Sequence, residues 1–186
     1  TGTYAIFRRV EGLEVLVSQK RMGRPYYRGC IIVPADSPVR TVGELEGATV
    51  AFVDPTSYSG YTYFFEALAG SGKPPEIFLR HGLFTYNHDK SLRAVADRLV
   101  DAAAIDEVAY ENARLHNPEV AKAVRIISFS PPRGTGPIVA SQSLSKAERQ
   151  RLKEVFLQMH EDEAMAPALK GLLIDRFIVF DPELYK

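Results

Sequence analysis

The stretch Asp54-Pro55-Thr56-Ser57-Tyr58-Ser59-Gly60 gathers the groups in this chain best suited to holding an anion. It lies between an apolar run and an amphipathic one, so it reads as a loop leading from a buried strand into a helix. A helix start exposes unpaired backbone amides and the positive end of the helix dipole, and these can hold an anion with no formal positive charge nearby. Consecutive hydroxyl residues add donors, and Gly60 allows close approach. The plainer alternative is that Ser57 or Ser59 caps the helix. The loop has no Lys or Arg, so selection would rest on the number and geometry of hydrogen bonds. The G-x-x-x-x-G-K-[ST] pattern is absent, which argues against nucleotide hydrolysis.

Two further positions fall at corresponding places in the pattern. His88-Asp89 opens the next helix after a strand, and its imidazole can donate to an anionic oxygen; the competing role is a surface cap with Asp89 complementing the dipole. Asp106-Glu107 follows the run Val100-Asp101-Ala102-Ala103-Ala104-Ile105. A carboxylate there can accept from a protonated P-OH or a ligand ammonium, or simply cap a helix. Ser59, His88 and Asp106 can also be written as a catalytic triad. However, the serine sits in S-Y-S-G rather than in the G-x-S-x-G elbow that exposes a nucleophile. His81, His88, His116 and His160 are far apart and lack metal-ligand spacing, so no metal is expected, and no cofactor either. Tyr58, Tyr61 and Tyr63 with Phe64 and Phe65 read as the helix's core and rim.

These positions need a frame of short alternating elements. Strands are predicted over Leu13 to Ser18, Tyr26 to Val33, Ala48 to Val53, Glu76 to Arg80, Ala102 to Ile105, Val124 to Phe129 and Ile138-Val139. Helices are predicted over Thr3 to Val10, Ser59 to Ala69, His88 to Leu99, Asp106 to Leu115, Ser145 to about His160 and Asp162 to Ile174. Thr41-Val42-Gly43-Glu44 has capping-box spacing, with Gly47 ending that short helix. The alternation favours an α/β fold with a mainly parallel sheet covered on both faces, and such sheets bind ligands at the carboxyl ends of their strands.

Composition narrows the class. The 186 residues are 46% hydrophobic and 25% charged, enough for one domain or two small lobes. Lys plus Arg equals Asp plus Glu, so nothing points to nucleic acid or an anionic membrane. The single cysteine, Cys30, excludes an internal disulfide and reads as a buried thiol. No apolar run is long enough to span a bilayer, and the first residues lack a signal-peptide profile.

In order along the chain, several segments resemble the substrate-binding proteins of phosphonate, phosphite and phosphate ABC transporters, which have the two-lobed type 2 periplasmic binding fold. Tyr27-Arg28-Gly29-Cys30-Ile31-Ile32-Val33 with Asp36-Ser37 resembles the family's crossover strand. Leu45 to Pro55 resembles the entry to its second lobe, and Ser57-Tyr58-Ser59-Gly60 stands in place of an anion-binding S-T-S-G loop. His88-Asp89, Val100 to Ala104, Ser130-Pro131-Pro132 and Pro137-Ile138-Val139 resemble further family segments.

The resemblance implies that a phosphorus oxyanion is held between the lobes by Ser57, Tyr58, Ser59 and the amide near Gly60, with Tyr27 and His88 as further donors and Asp106 as an acceptor. It implies a binding protein rather than an enzyme, an extracytoplasmic or periplasmic location, and an ABC transporter permease as partner. Lobe 1 would comprise residues 1–33 and 138–186 and lobe 2 residues 34–137, with hinges near Val33 and Pro137. Tyr58 in place of Thr would reshape the pocket, and Gly136 in place of Asp argues against an aminoalkyl ligand. Relatives carry a further β-α unit before Thr1, so lobe 1 is expected to be incomplete. An extracytoplasmic sensor domain and, more distantly, a serine hydrolase are the alternatives.

Overall fold

The computed structural model describes residues 12–69 and 75–185; the helix predicted over Thr3 to Val10 lies outside them. The chain divides into two compact units, one from Arg28 to Pro131 and the other from the residues up to Tyr27 together with those from Pro132 onward. Both junctions fall earlier than the 33/34 and 137/138 expected from the sequence. The reason is the strand Gly29–Pro34, which is hydrogen-bonded inside the sheet of the Arg28–Pro131 unit rather than bordering it.

That unit is built on five strands: β3 (Gly29–Pro34), β4 (Thr49–Phe52), β5 (His81–Phe84), β6 (Ala102–Asp106) and β7 (Val124–Phe129), in the order β5-β4-β6-β3-β7. β4 is parallel to both β5 and β6, while β3 runs antiparallel to β6 and β7. Four of the five strands therefore point the same way. Their carboxyl ends share one edge, and the reversed β3 begins at that edge.

Side-chain alternation explains the two-sided core. Ile31, Val33, Val50, Phe52, Ala102 and Ala104 face one cluster with Phe64 and Leu68 of helix α1 (Tyr63–Leu68). Cys30, Ile32, Ala51, Ala103 and Ile105 face the other. There they meet Leu92 and Val95 of α3 (His88–Ala96) and Ala113 of α4 (Glu107–His116). Alanine at three successive positions of β6 keeps the central strand thin, so helices on both faces approach closely.

In the Arg28–Pro131 unit the elements depart from the sequence expectation chiefly in three places, and in the other unit the helix expected over Asp162 to Ile174 is confined to Ala166–Gly171. Glu76 to Arg80 is not a strand: α2 (Pro75–Phe78) occupies its start and β5 follows at His81–Phe84. Pro75 suits a helix start, and Phe78 is buried in the first cluster, whereas edge strand β5 is exposed along its whole length and carries little apolar signal. A short helix α5 (Pro118–Lys122) was not anticipated. Thr41 makes no cap to the turn Val42–Leu45; its hydroxyl instead meets the Glu44 carboxylate at 3.1 Å, which accepts from the Arg40 amide at 2.8 Å.

The other unit has a three-stranded antiparallel sheet, β1 (Leu13–Lys20) between β10 (Arg176–Ile178) and β9 (Ile138–Ser141), and the small pair β2 (Tyr26–Tyr27) and β8 (Arg133–Gly134). Helices α6 (Lys146–Gln158) and α7 (Ala166–Gly171) accompany it. Ser145 and Glu148 form a complete capping box at the start of α6. Among the described residues its core is one cluster of Leu16, Val17, Ala140, Leu169, Ile174 and Phe177.

Candidate functional site

The carboxyl ends of β4, β5 and β6 bring three of the singled-out segments to one edge of the Arg28–Pro131 unit. After β4 the chain turns through Asp54, whose Oδ1 accepts from the Thr56 amide at 2.8 Å and its hydroxyl at 2.6 Å. The Ser57 amide donates to the Asp54 carbonyl at 3.1 Å, and Ser57 Oγ accepts from the Gly60 amide at 3.0 Å. A π-type turn over Tyr58–Thr62 then leads into α1. The Gly60 carbonyl accepts from the Val53 amide at 2.9 Å, and a Cβ at Gly60 would stand 2.5 Å from that of Val53. Glycine is required here by close approach.

The hydroxyls of this loop thus have different duties. Thr56 closes the turn, and Ser57 caps the helix through its oxygen, leaving its proton to donate. The expected anion-binding amide at Gly60 is already given to Ser57. Tyr58 turns inward: its ring is buried, and its hydroxyl donates to Glu66 Oε2 at 3.0 Å. Ser59 is 3% exposed, and its hydroxyl has no hydrogen-bond partner among the described residues.

The end of β5 is tied to β4 by the Thr85 and Tyr86 amides, which donate to Phe52 and Val53 at 2.8 and 2.9 Å. Asn87, not His88 or Asp89, caps α3, accepting from the Lys90 amide at 3.0 Å. His88 is therefore free for other work. Its Nδ1 accepts from the Asp106 amide at 3.0 Å. A backbone amide can only donate, so Nδ1 carries no proton and the neutral ring presents Nε2-H.

Asp106 caps α4 through Oδ1, which accepts from the Ala109 amide at 2.7 Å, while Oδ2 lies 3.6 Å from His88 Nε2. This is the reverse of a serine-protease arrangement, in which the carboxylate accepts from Nδ1-H and Nε2 faces the serine. Ser59 and His88 share no hydrogen bond among the described residues. The triad reading does not survive the geometry.

β3 completes the edge. Gly29 pairs with Asp106 across the ladder, its amide donates to Ser130 Oγ at 2.9 Å, and an added Cβ would stand 3.0 Å from Ser59 Cα. Glu107 is buried, and its carboxylate accepts from the Arg28 amide at 3.0 Å. Burial pushes the Cys30 thiol well above its ordinary value, with Asp106 and Glu107 adding to the rise. Burial also raises the Tyr63 phenol, whose hydroxyl meets Ser128 Oγ at 2.5 Å.

Tyr27 belongs to the other unit, buried in β2 opposite Arg133. Sequence reasoning named Glu107, Ser130 and Tyr63 but not their partners, the Arg28 amide, the Gly29 amide and Ser128. The alternation placing Gly29 and Tyr63 on one face was the available signal. Among the described residues no group of His, Cys, Asp and Glu can hold a metal ion, and no helix is long and apolar enough to cross a membrane.

An edge of this kind, with capped helix starts and a polar rim at the strand ends, is where open α/β sheets bind ligands. The chain belongs to the family of periplasmic substrate-binding proteins of phosphonate ABC transporters, whose model matches residues 1–185. It is 26% identical over 140 residues to the phosphonates-binding periplasmic protein of Escherichia coli, covering 73% of this chain and 41% of that protein. Among solved structures it resembles a phosphonate-transporter binding component from Pseudomonas aeruginosa, with TM-score 0.86, 23% identity, and coverage of 98% of this chain and 63% of the other. A Prochlorococcus marinus protein solved in complex with methylphosphonate gives TM-score 0.85 at 18% identity, covering 100% of this chain and 72% of the other. The chain thus spans less than two thirds of the length of the first two relatives.

Proposed function

We propose that this protein captures a phosphorus oxyanion of the phosphonate class and is the solute-binding component of an ABC transporter, working outside the cytoplasmic membrane and handing its ligand to the permease. The observation that carries the reading is the Ser59 hydroxyl, which stands at a helix start without a hydrogen-bond partner among the described residues, on a residue only 3% exposed. A hydroxyl that makes no hydrogen bond within the protein keeps its proton for a ligand, and an oxyanion at this position accepts it. Ser57, with its oxygen already accepting from Gly60, donates its proton alongside. His88 offers Nε2-H, and Asp106 Oδ2 accepts from a protonated ligand oxygen.

Gly60 and Tyr58 hold this geometry rather than touching the ligand through their side chains. Family membership and the methylphosphonate-bound relative support the ligand class. Titration calorimetry with methylphosphonate, phosphite, phosphate and sulfate tests it. The expected result is selective binding of a phosphorus oxyanion. Replacing Ser57 and Ser59 together with Ala should cost several kcal/mol of binding, since hydrogen bonds to a charged group are worth about 1.5–3 kcal/mol each. An undiminished affinity in that variant refutes the site.

A further inference from the structure

Asp106 ends β6, and the alternation of that strand sets the face toward which its carboxylate stands. Ala102 and Ala104 face the cluster that contains Phe64, so Asp106, two residues on, belongs to the same face. It pairs directly with Gly29 of β3, and residues opposite each other in an antiparallel ladder share a face. A Cβ on Gly29 would stand 3.0 Å from Ser59 Cα and 3.2 Å from Ser59 Cβ. The hydroxyl loop, Gly29 and Asp106 therefore form one contiguous strip.

What the groups along this strip still offer follows from their bonds. Ser57 and Ser59 keep their hydroxyl protons, and His88 keeps Nε2-H because Nδ1 accepts from the Asp106 amide. Asp106 Oδ1 caps α4, whereas Oδ2 lies 3.6 Å from His88 Nε2, too far for a hydrogen bond, so neither satisfies the other. The strip presents neutral donors and a carboxylate acceptor.

Among the described residues no ion pair joins Asp106 to a Lys or Arg. Arg28, one residue from Gly29, turns to the opposite face, where its guanidinium lies 5.8 Å from the centre of the Phe129 ring. Lys90 is two residues from His88 and stands on another side of α3. Glu107, Asp54 and Asp89 add carboxylates on the neighbouring elements, while burial keeps the Cys30 thiol and the Tyr63 phenol neutral. Tyr58 is committed to Glu66, and Tyr110 packs on the opposite face. A second negative charge on a ligand here would meet these carboxylates with only neutral donors of this unit to hold it. A ligand oxygen that keeps its proton instead donates to Asp106 Oδ2, while the other oxygens accept from Ser57, Ser59 and His88.

We propose that Asp106 reads the ligand's ionisation state, so that the site takes a phosphonate in its singly charged form, with one P-OH, and rejects oxyanions that carry no proton. The inference rests on the anion-capture reading above and adds to it the form in which the ligand is taken.

Calorimetry tests it with methylphosphonate, with fluoromethylphosphonate, whose fluorine lowers the second ionisation, and with methanesulfonate, which has the same shape and one charge but no proton to give. Titrations run from neutrality to about pH 9, in two buffers of different ionisation heat so that proton uptake is read directly. Methylphosphonate affinity is expected to fall about tenfold per pH unit above its second ionisation, with about one proton taken up per ligand bound. The fall for fluoromethylphosphonate should begin at lower pH, by the difference between the two ligands. Methanesulfonate should bind about tenfold or more weakly than methylphosphonate at neutrality.

Asp106→Asn keeps a capping side chain and puts an amide donor where the acceptor stood. It should abolish the proton uptake and narrow the preference over methanesulfonate. Methylphosphonate affinity that stays flat or rises through the second ionisation, with no proton uptake, overturns the inference alone, and this holds even where the variant fails to fold. So does an Asp106→Asn variant that keeps both the pH dependence and the preference. An unsubstituted protein that binds no phosphorus oxyanion overturns the function reading, and this inference with it.

Discussion

Strands β3 and β1 are both largely apolar runs, yet β3 buries all six of its residues and β1 only three of its eight. The first lies between two strands with helices on both faces of its sheet, and alternate side chains feed two separate cores. The second belongs to a three-stranded sheet with one core cluster, accompanied by α6, a helix with no fully buried residue. The contrast shows where rigidity is invested. Ser57, Ser59, His88 and Asp106 stand at the edge of the doubly covered sheet, so their positions are fixed by a framework packed on both faces.

Matched truncations offer the strongest way to break that comparison. Leu92→Ala empties a position 1% exposed in the doubly covered unit and should cost about 2–5 kcal/mol, whereas Leu169→Ala, at 7% exposure in the other unit, should cost less. Urea unfolding of both variants measures it, and equal losses would show that the two cores are equally demanding.

Alkaline pH sharpens the comparison further. Cys30 and Tyr63, both in the doubly covered unit, have raised values, so the neutral forms are favoured in the folded chain. Their contribution is fully present below the ordinary thiol and phenol values and is lost as pH rises through the folded ones. Each group that stays protonated in the folded chain while ionising in the unfolded one adds a slope of about 1.4 kcal/mol per pH unit. Stability followed by urea unfolding between neutrality and about pH 10 should fall, and Cys30→Ala should flatten the slope. An unchanged slope in that variant would mean that the thiol titrates normally.

The smallest effect separates two serine caps. Ser145→Ala removes one half of a capping box and should lower stability by about 1 kcal/mol without touching ligand binding. Ser57→Ala should lower both. If Ser57→Ala changes stability alone, Ser57 is a cap and nothing more.

Much of this was legible in the chain itself. Apolar runs exposed β3, β4, β6 and β7, and Ser145 was legible as the start of a helix, though its capping box with Glu148 was not, while the box expected at Thr41 and Glu44 did not form. Edge strand β5 was misplaced because exposed His81-Gly82-Leu83-Phe84 carries no burial pattern, while the apolar run before it belongs to a helix. Within the site, residue types identified Ser57, Ser59, His88 and Asp106 as a set at adjacent strand ends. They did not reveal how each hydroxyl is spent, because that depends on Asp54, Gly60 and Glu66 partners met only after folding.

The sequence by itself determined the α/β alternation, the neutral character of the hydroxyl loop and the strand ends at which chemistry is concentrated, since these follow from local periodicity and residue type. Only the tertiary structure decided that β3 runs against its neighbours and brings Gly29 to that edge. It also decided that Tyr58 turns into the core and that the Asp106 amide holds His88 in one tautomer. Each of these depends on ladder pairing or packing between segments distant in the chain, and no local pattern encodes such contacts.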